Sequence, residues 1–295
     1  MRPSRAFVLL VLWTAPAYAS GQETPAVTAK AWAVVDAESG VLLGGKDEKK
    51  PLPMASTTKL TTALVVLGRP EVRALLDRKV TVSAFAAKQG GTRMGLSEGD
   101  EPTLLDLLYG LMLPSGNDAA VAIAEFVAER LGWPAPADAP AQGALESAFV
   151  VEMNRLAAEL RLENTRYVNA HGRDAKGHAS CAADLAVVGR ASLRDPLLRE
   201  IMGTARREVV LANSKTGQSR TIVLANTNKL LGRHGVDGGK TGHTPKAASC
   251  LVATAVRPSD ARRLWVVVLG SADKEKRFED SAALLEWCWR KVDGR

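Results

Sequence analysis

Three short motifs lie far apart in this chain, Ser56-Thr57-Thr58-Lys59, Ser115-Gly116-Asn117 and Lys240-Thr241-Gly242, and they form one chemical set only if the fold brings them together. A serine hydroxyl is a poor nucleophile at neutral pH and needs a neighbouring base. At i and i+3 of a helix, Ser56 and Lys59 share a face and reach one another. Pro51 and Pro53 precede the motif and an apolar run over 61–67 follows it, which predicts a buried helix with Ser56 in its first turn. There the positive end of the helix dipole favours developing negative charge. A lysine ordinarily titrates near about 10.4, so Lys59 has to be desolvated or set beside another cation before it accepts a proton. Lys240 is the candidate for that second charge. Alone, Ser-x-x-Lys reads better as an ordinary helix start with a solvated lysine; the other two motifs decide against that reading.

The apolar stretch 104–113 predicts a buried helix stopped at Pro114, and 117–124 a second helix with a good N-cap. Ser115-Gly116-Asn117 then occupies a short loop between two buried helices, a rigid place to hold polar groups. Ser115 can pass a proton between the lysine pair and a leaving nitrogen, which is general-acid chemistry. Asn117 offers a peptide both an amide donor and an acceptor. Lys-Thr-Gly occurs twice. Lys215-Thr216-Gly217 lies between β-rich runs at 207–211 and 221–224 and reads as a hairpin loop. Lys240-Thr241-Gly242 leads towards a strand over 249–256. A cleft-lining edge strand can present lysine and threonine to a carboxylate, with glycine where backbone approaches ligand. The second copy is therefore the functional candidate.

The same ordered trio occurs in penicillin-binding proteins and serine β-lactamases. From about residue 30 to about residue 290 the chain resembles the low-molecular-mass penicillin-binding proteins, the D-alanyl-D-alanine carboxypeptidases of peptidase family S11. The likeness is carried by Leu-Leu-Tyr-Gly-Leu-Met-Leu-Pro-Ser-Gly-Asn-Asp-Ala-Ala at 107–120, Asn-Ala-His-Gly at 169–172 and His-Ala-Ser-Cys-Ala-Ala-Asp at 178–184. It continues through Asn-Thr-Asn-Lys-Leu-Leu at 226–231 and Val-Asp-Gly-Gly-Lys-Thr-Gly-His-Thr at 236–244.

That resemblance implies Ser56 as the acylated nucleophile and Lys59 as its general base. Ser115 would complete the proton relay, and Asn117 would share in it while positioning substrate. Lys240 and Thr241 would hold the substrate's terminal carboxylate, with Gly242 beside them. The backbone N–H groups of Ser56 and His243 would form the oxyanion hole, worth about 3 to 4 kcal/mol per donor in other serine enzymes. The implied reaction releases the last D-alanine of a peptidoglycan pentapeptide stem, and β-lactams such as penicillins act as covalent inhibitors. No metal or other cofactor is implied. Two alternatives use the same residues or fewer: a DD-endopeptidase cutting peptidoglycan cross-links, and a non-catalytic cell-wall-binding module, which the intact catalytic set argues against. A class A β-lactamase would need a Glu-x-x-Leu-Asn loop, and 146–169 lacks one.

The departures from the family pattern fall beside the site. Arg173 stands where Leu is common, Ala170 where Pro is common, Cys181 where Thr is common, and Pro245-Lys246-Ala247-Ala248 where Ala-Gly often precedes the strand. The last of these is expected to alter substrate fit at the cleft edge. His171 and His178 lack paired ligand spacing, so structural or surface roles are expected of them rather than metal binding.

Arg2 and Arg5, an apolar core at 7–13 and Ala17-Tyr18-Ala19 predict a signal peptide over 1–19, cleaved after Ala19. That core is far shorter than the roughly 20 residues of a membrane span. An exported, periplasmic or extracytoplasmic protein follows. Residues 20–295 are expected to form one DD-peptidase catalytic domain, without a C-terminal β domain or membrane-anchoring helix, so no stable membrane anchor is predicted. The formal net charge of +7 falls to about +5 when Arg2 and Arg5 are removed, which suits an anionic cell wall. Basic residues are scattered without aromatic interleaving, so nucleic acid is not an expected partner. Cysteines 181, 250 and 288 are odd in number and widely spaced, which predicts buried free thiols. Stability must then come from the core, and 46% hydrophobic residues make a substantial one attainable. Strands at 31–35 and 41–43, helices from 56 to about 200, strands from about 207 to 271 and a last helix over 277–290 make an α+β fold. Early and late strands are expected to join in one antiparallel sheet flanked by helices, with a mostly helical lobe beside it and the cleft between. That arrangement resembles the serine β-lactamase/DD-peptidase fold.

Overall fold

The computed structural model describes residues 23–293, so the predicted signal segment at 1–19 lies outside the described residues. Strands β1 (Ala31–Asp36) and β2 (Leu42–Lys46) form the opening hairpin. Helices follow: α1 (Lys59–Leu67), the short α2 (Pro70–Arg73) and α3 (Ala84–Ala87), α4 (Leu104–Met112), α5 (Asn117–Arg130), α6 (Ala144–Glu159), α7 (Ala182–Leu193) and α8 (Pro196–Gly203). Strands β3 (Arg206–Ala212), β4 (Ser219–Ala225), β5 (Val236–Thr244), β6 (Ala248–Val256) and β7 (Arg263–Ser271) precede α9 (Lys276–Val292).

The early and late strands join in one antiparallel sheet of order β2-β1-β7-β6-β5. Side chains alternate between its faces, and both faces are apolar. Ala31, Ala33 and Val35 of β1 share a core with Trp265, Val267 and Leu269 of β7 and with the central helices. Their neighbours Trp32, Val34, Val266 and Val268 pack instead with Phe278, Leu284 and Leu285 of α9. Covering a sheet on both sides is why β6 and β7 read as nearly continuous apolar runs.

One expectation fails here. Strands β3 and β4 do not enter this sheet but form a separate two-stranded ribbon. Their sequence carries Arg206, Arg207, Glu208 and Arg220, charges that a sheet buried on both faces does not admit. The ribbon is tied instead to the buried Asp100, which receives Arg220 Nη1 at 2.8 Å and Asn213 Nδ2 at 2.9 Å. Its tip holds the first Lys-Thr-Gly copy, with Lys215 paired to Glu98.

The helical lobe surrounds α1 and α5, whose residues are buried almost all round. Thr103 and Asp106 close a capping box at the start of α4, with Asp106 N donating to Thr103 Oγ1 at 3.0 Å. Cys181, Cys250 and Cys288 are free and buried. Burial pushes the thiol of Cys250 up to about 11 and those of Cys181 and Cys288 up to about 12, which leaves them unreactive. Cys181 occupies the N-cap of α7 and its sulfur accepts from Asp184 N at 3.4 Å, so it does the capping work of the usual threonine. Among the described residues, no helix is long and apolar enough to cross a membrane.

Candidate active site

Ser56 stands on a single 3₁₀ turn, Ala55–Thr58, that runs directly into α1. It therefore precedes the α-helix rather than lying in its first turn, as the sequence had implied. The i to i+3 spacing still places Lys59 beneath it, with Nζ 2.9 Å from Ser56 Oγ. The turn is locked from inside. Thr57 Oγ1 donates to Met54 O at 2.7 Å and Thr58 Oγ1 to Ala55 O at 2.8 Å. Ala55 is held at φ +49°, an uncommon conformation for a residue with a side chain. Two glycines let neighbouring backbone close on the turn. A Cβ on Gly172 (φ +91°) would fall 2.1 Å from Ala55 O, and one on Gly242 would fall 3.0 Å from Ser56 N. The second contact places the second Lys-Thr-Gly copy against the serine.

Lys59 has no solvent exposure, and its ammonium donors meet Ser56 Oγ at 2.9 Å, Asn117 Oδ1 at 2.8 Å and His171 O at 2.6 Å. Burial, and then the charge of Lys240, hold its pKa well below the ordinary lysine range, with Asp118 opposing. Lys240 is only 1% exposed, and its own pKa is pushed down to about 7 by burial and then by Arg277. Two fully buried lysines are rare in a scaffold. Here Lys240 is poised to change charge near neutral pH, and Lys59 is held well below the ordinary lysine range.

The second motif joins the same site. Ser115 is held at φ +69°, and its hydroxyl is buried with no hydrogen-bond partner among the described residues. A buried orphan together with a positive φ singles out Ser115 as a candidate functional position. The expected side-chain N-cap is absent: Gly116 caps α5 without one. The Asn117 side chain is instead spent on tertiary contacts, Oδ1 on Lys59 and Nδ2 on Gly90 O at 2.7 Å. Asn117 thus positions the lysine and the 90–92 segment, a role wider than the substrate contact read from its amide alone. Thr241 Oγ1 meets Thr227 Oγ1 at 2.6 Å, and Thr227 N donates to Leu113 O at 3.1 Å, which stitches β5 to the end of α4. His243, on the same edge strand, places its Nδ1 3.0 Å from Ser249 Oγ.

A cleft of about 350 Å³ opens over Ser56, bounded by Asn117, Thr92, Arg173, Asp174 and His243. Several residues that build the candidate site escaped sequence reasoning. Arg277 reaches from α9 to donate to Gly242 O at 2.9 Å, adding a third buried cation behind the Lys-Thr-Gly strand. Asp174 accepts from Thr244 Oγ1 at 2.6 Å and Lys246 N at 3.1 Å, latching the 171–174 segment to the β5–β6 turn. Asp118 accepts from Met94 N, Gly95 N and Leu96 N at 2.8 to 3.0 Å, fixing the loop that forms the opposite wall. Thr227 was visible only as one letter of a longer run.

His171 and His178 are both buried rather than at the surface. Val168 N donates to His178 Nδ1 at 3.0 Å, which leaves the proton on Nε2 to donate to Thr58 Oγ1 at 2.8 Å. Burial lowers the pKa of this ring to about 4, so it stays neutral while supporting the serine turn.

The D-alanyl-D-alanine carboxypeptidase family model, peptidase S11, matches residues 18–273. The chain is 36% identical over 298 residues to the D-alanyl-D-alanine carboxypeptidase DacC of Escherichia coli, covering 97% of this chain and 67% of that one. It is 30% identical over 267 residues to DacF of Bacillus subtilis, covering 90% and 63%. The chain thus spans about two thirds of the length of these curated relatives. The crystal structure of the Streptomyces K15 DD-transpeptidase superposes with a TM-score of 0.81 at 29% identity, covering 91% of this chain and 99% of that one. The fold is therefore the α+β fold of the DD-peptidases, and the chain belongs to the peptidase S11 family of D-alanyl-D-alanine carboxypeptidases.

Proposed function

We propose that the protein is a serine-type D-Ala-D-Ala carboxypeptidase that trims the terminal D-alanine from peptidoglycan pentapeptide stems. The observation that carries this reading is the buried Lys59 amine 2.9 Å from Ser56 Oγ, with its proton affinity lowered by desolvation and by Lys240. Neutral Lys59 takes the hydroxyl proton as Ser56 Oγ attacks the carbonyl of the penultimate D-alanine. The oxyanion sits against the backbone N–H groups of Ser56 and His243, at the positive end of the turn leading into α1. Collapse of the tetrahedral intermediate breaks the C–N bond. The departing amine takes a proton delivered through Ser115, and D-alanine leaves from an acyl-Ser56 that water hydrolyses. Lys240, Thr241 and Arg277 form the electropositive end that receives the terminal carboxylate, with Gly242 and His243 on the strand edge. Penicillins acylate Ser56 in the same way. Export is part of this reading, supported by the charged, apolar and Ala-x-Ala segments at 1–19, with 20–295 as the catalytic domain.

The pH dependence follows from the two lysines. Lys240 is a cation below its pKa of about 7 and neutral above it. Lys59 becomes a base only above its own depressed value. The kcat/KM for a peptide with a free terminal carboxylate is expected to fall as pH rises through about 7, while a substrate whose C-terminus is esterified lacks that limb. Steady-state profiles of the two substrates check this.

Incubation with a pentapeptide muropeptide, read by mass spectrometry, tests the reading. Loss of one alanine, abolished by prior treatment with penicillin, is the expected result; an untouched pentapeptide overturns it. The solved neighbours named as a DD-transpeptidase favour a second outcome for the same acyl-enzyme, capture by an amine instead of water. Added D-amino-acid or peptide amine distinguishes the two by product mass.

A further inference from the structure

The cleft carries one cation that the reaction described above does not use. Arg173 lines its wall and is exposed, and its side chain makes no hydrogen bond or ion pair among the described residues. Its guanidinium reaches across the mouth: Nη1 lies 3.7 Å from where a side chain on Gly90 would begin, on the opposite wall. The acid among the lining residues, Asp174, is already committed to Thr244 Oγ1 and Lys246 N. Lys246 and Lys176 stand exposed on the two segments beside it, so the rim is electropositive and lacks an internal counter-ion at Arg173. The terminal carboxylate of the substrate has its own site at Lys240, Thr241 and Arg277. Arg173 is therefore left for a second anion, on the part of the peptide that becomes the acyl group.

The geometry points to Arg173 as a specificity-determining residue that selects stem peptides bearing a free carboxylate, rather than a carboxamide, on one of the two residues preceding D-Ala-D-Ala. A guanidinium matches a carboxylate bidentately, and a pair inside a cleft is shielded less by solvent than one on an open surface. This inference rests on the carboxypeptidase reading and deepens it.

Two pairs of acetylated peptides ending in D-Ala-D-Ala test it. In one pair Glu or Gln directly precedes the dipeptide; in the other, Glu or Gln lies one residue further back behind a neutral residue. Wild-type protein is expected to favour the Glu peptide in kcat/KM by about five- to tenfold in at least one pair. The preference should shrink in about 0.5 M salt. Arg173→Gln should bring the ratio close to one, and Arg173→Lys should retain part of it. Ratios near one in both pairs for the wild type overturn the inference while leaving the carboxypeptidase reading intact. An equal loss on all four peptides in Arg173→Gln also overturns it, because Arg173 would then serve the terminal carboxylate they share. Hydrolysis of none of them removes both readings.

Discussion

Ser56→Ala is expected to abolish the covalent penicillin adduct and to slow hydrolysis of D-Ala-D-Ala peptides by about 10⁴- to 10⁶-fold. Among the described residues, no other side-chain hydroxyl is bonded to Lys59. Thr57 and Thr58 spend theirs on Met54 O and Ala55 O, and Ser115 Oγ is not the atom bonded to Lys59. The variant should fold normally. Besides accepting from Lys59 Nζ at 2.9 Å, the serine hydroxyl makes only a long contact to His171 O among the described residues, at 3.4 Å, and Lys59 keeps its bonds to Asn117 and His171 when Oγ is gone. Intact-mass spectrometry after penicillin treatment, with a thermal melt in parallel, gives the answer. A full-stoichiometry adduct on the alanine variant would show that the nucleophile is elsewhere.

Lys59→Met should cost about 10²- to 10⁴-fold in the acylation rate, the range of a lost general base. Its melting temperature should hold within a few degrees of wild type. The physical reason is the direction of the pKa shift. Folding lowers the affinity of Lys59 for its proton, so burying the charged lysine costs stability wherever the unfolded lysine is protonated. Methionine has similar length and carries no charge, so it removes that cost, which offsets the hydrogen bonds lost to Asn117 and His171. Stopped-flow acylation by a chromogenic β-lactam reads the rate. Retention of more than a tenth of it would mean another group takes the proton. Because Ser56 and Lys59 act as one unit, the double variant should be no slower than Ser56→Ala alone.

The candidate site was unusually legible in the sequence, because the proposed nucleophile, base and carboxylate anchor are short motifs with restrictive chemistry. Choosing between two copies of Lys-Thr-Gly was also within reach, since polar β-runs flank one and a buried strand follows the other. Arg277 was not legible: at the start of a charged helix it reads as a solvated face, and only packing of α9 over the sheet carries it to Gly242 O. The ribbon β3–β4 was misplaced for a related reason. β-propensity identifies a strand, while the burial its charges tolerate decides which sheet it joins.

By itself the sequence determined which reactive groups exist, their order, and the local spacing that sets Ser56 over Lys59. Only the tertiary structure decided their protonation. The proton affinities of Lys59 and Lys240 depend on desolvation and on cations contributed by distant elements, and no local pattern encodes either.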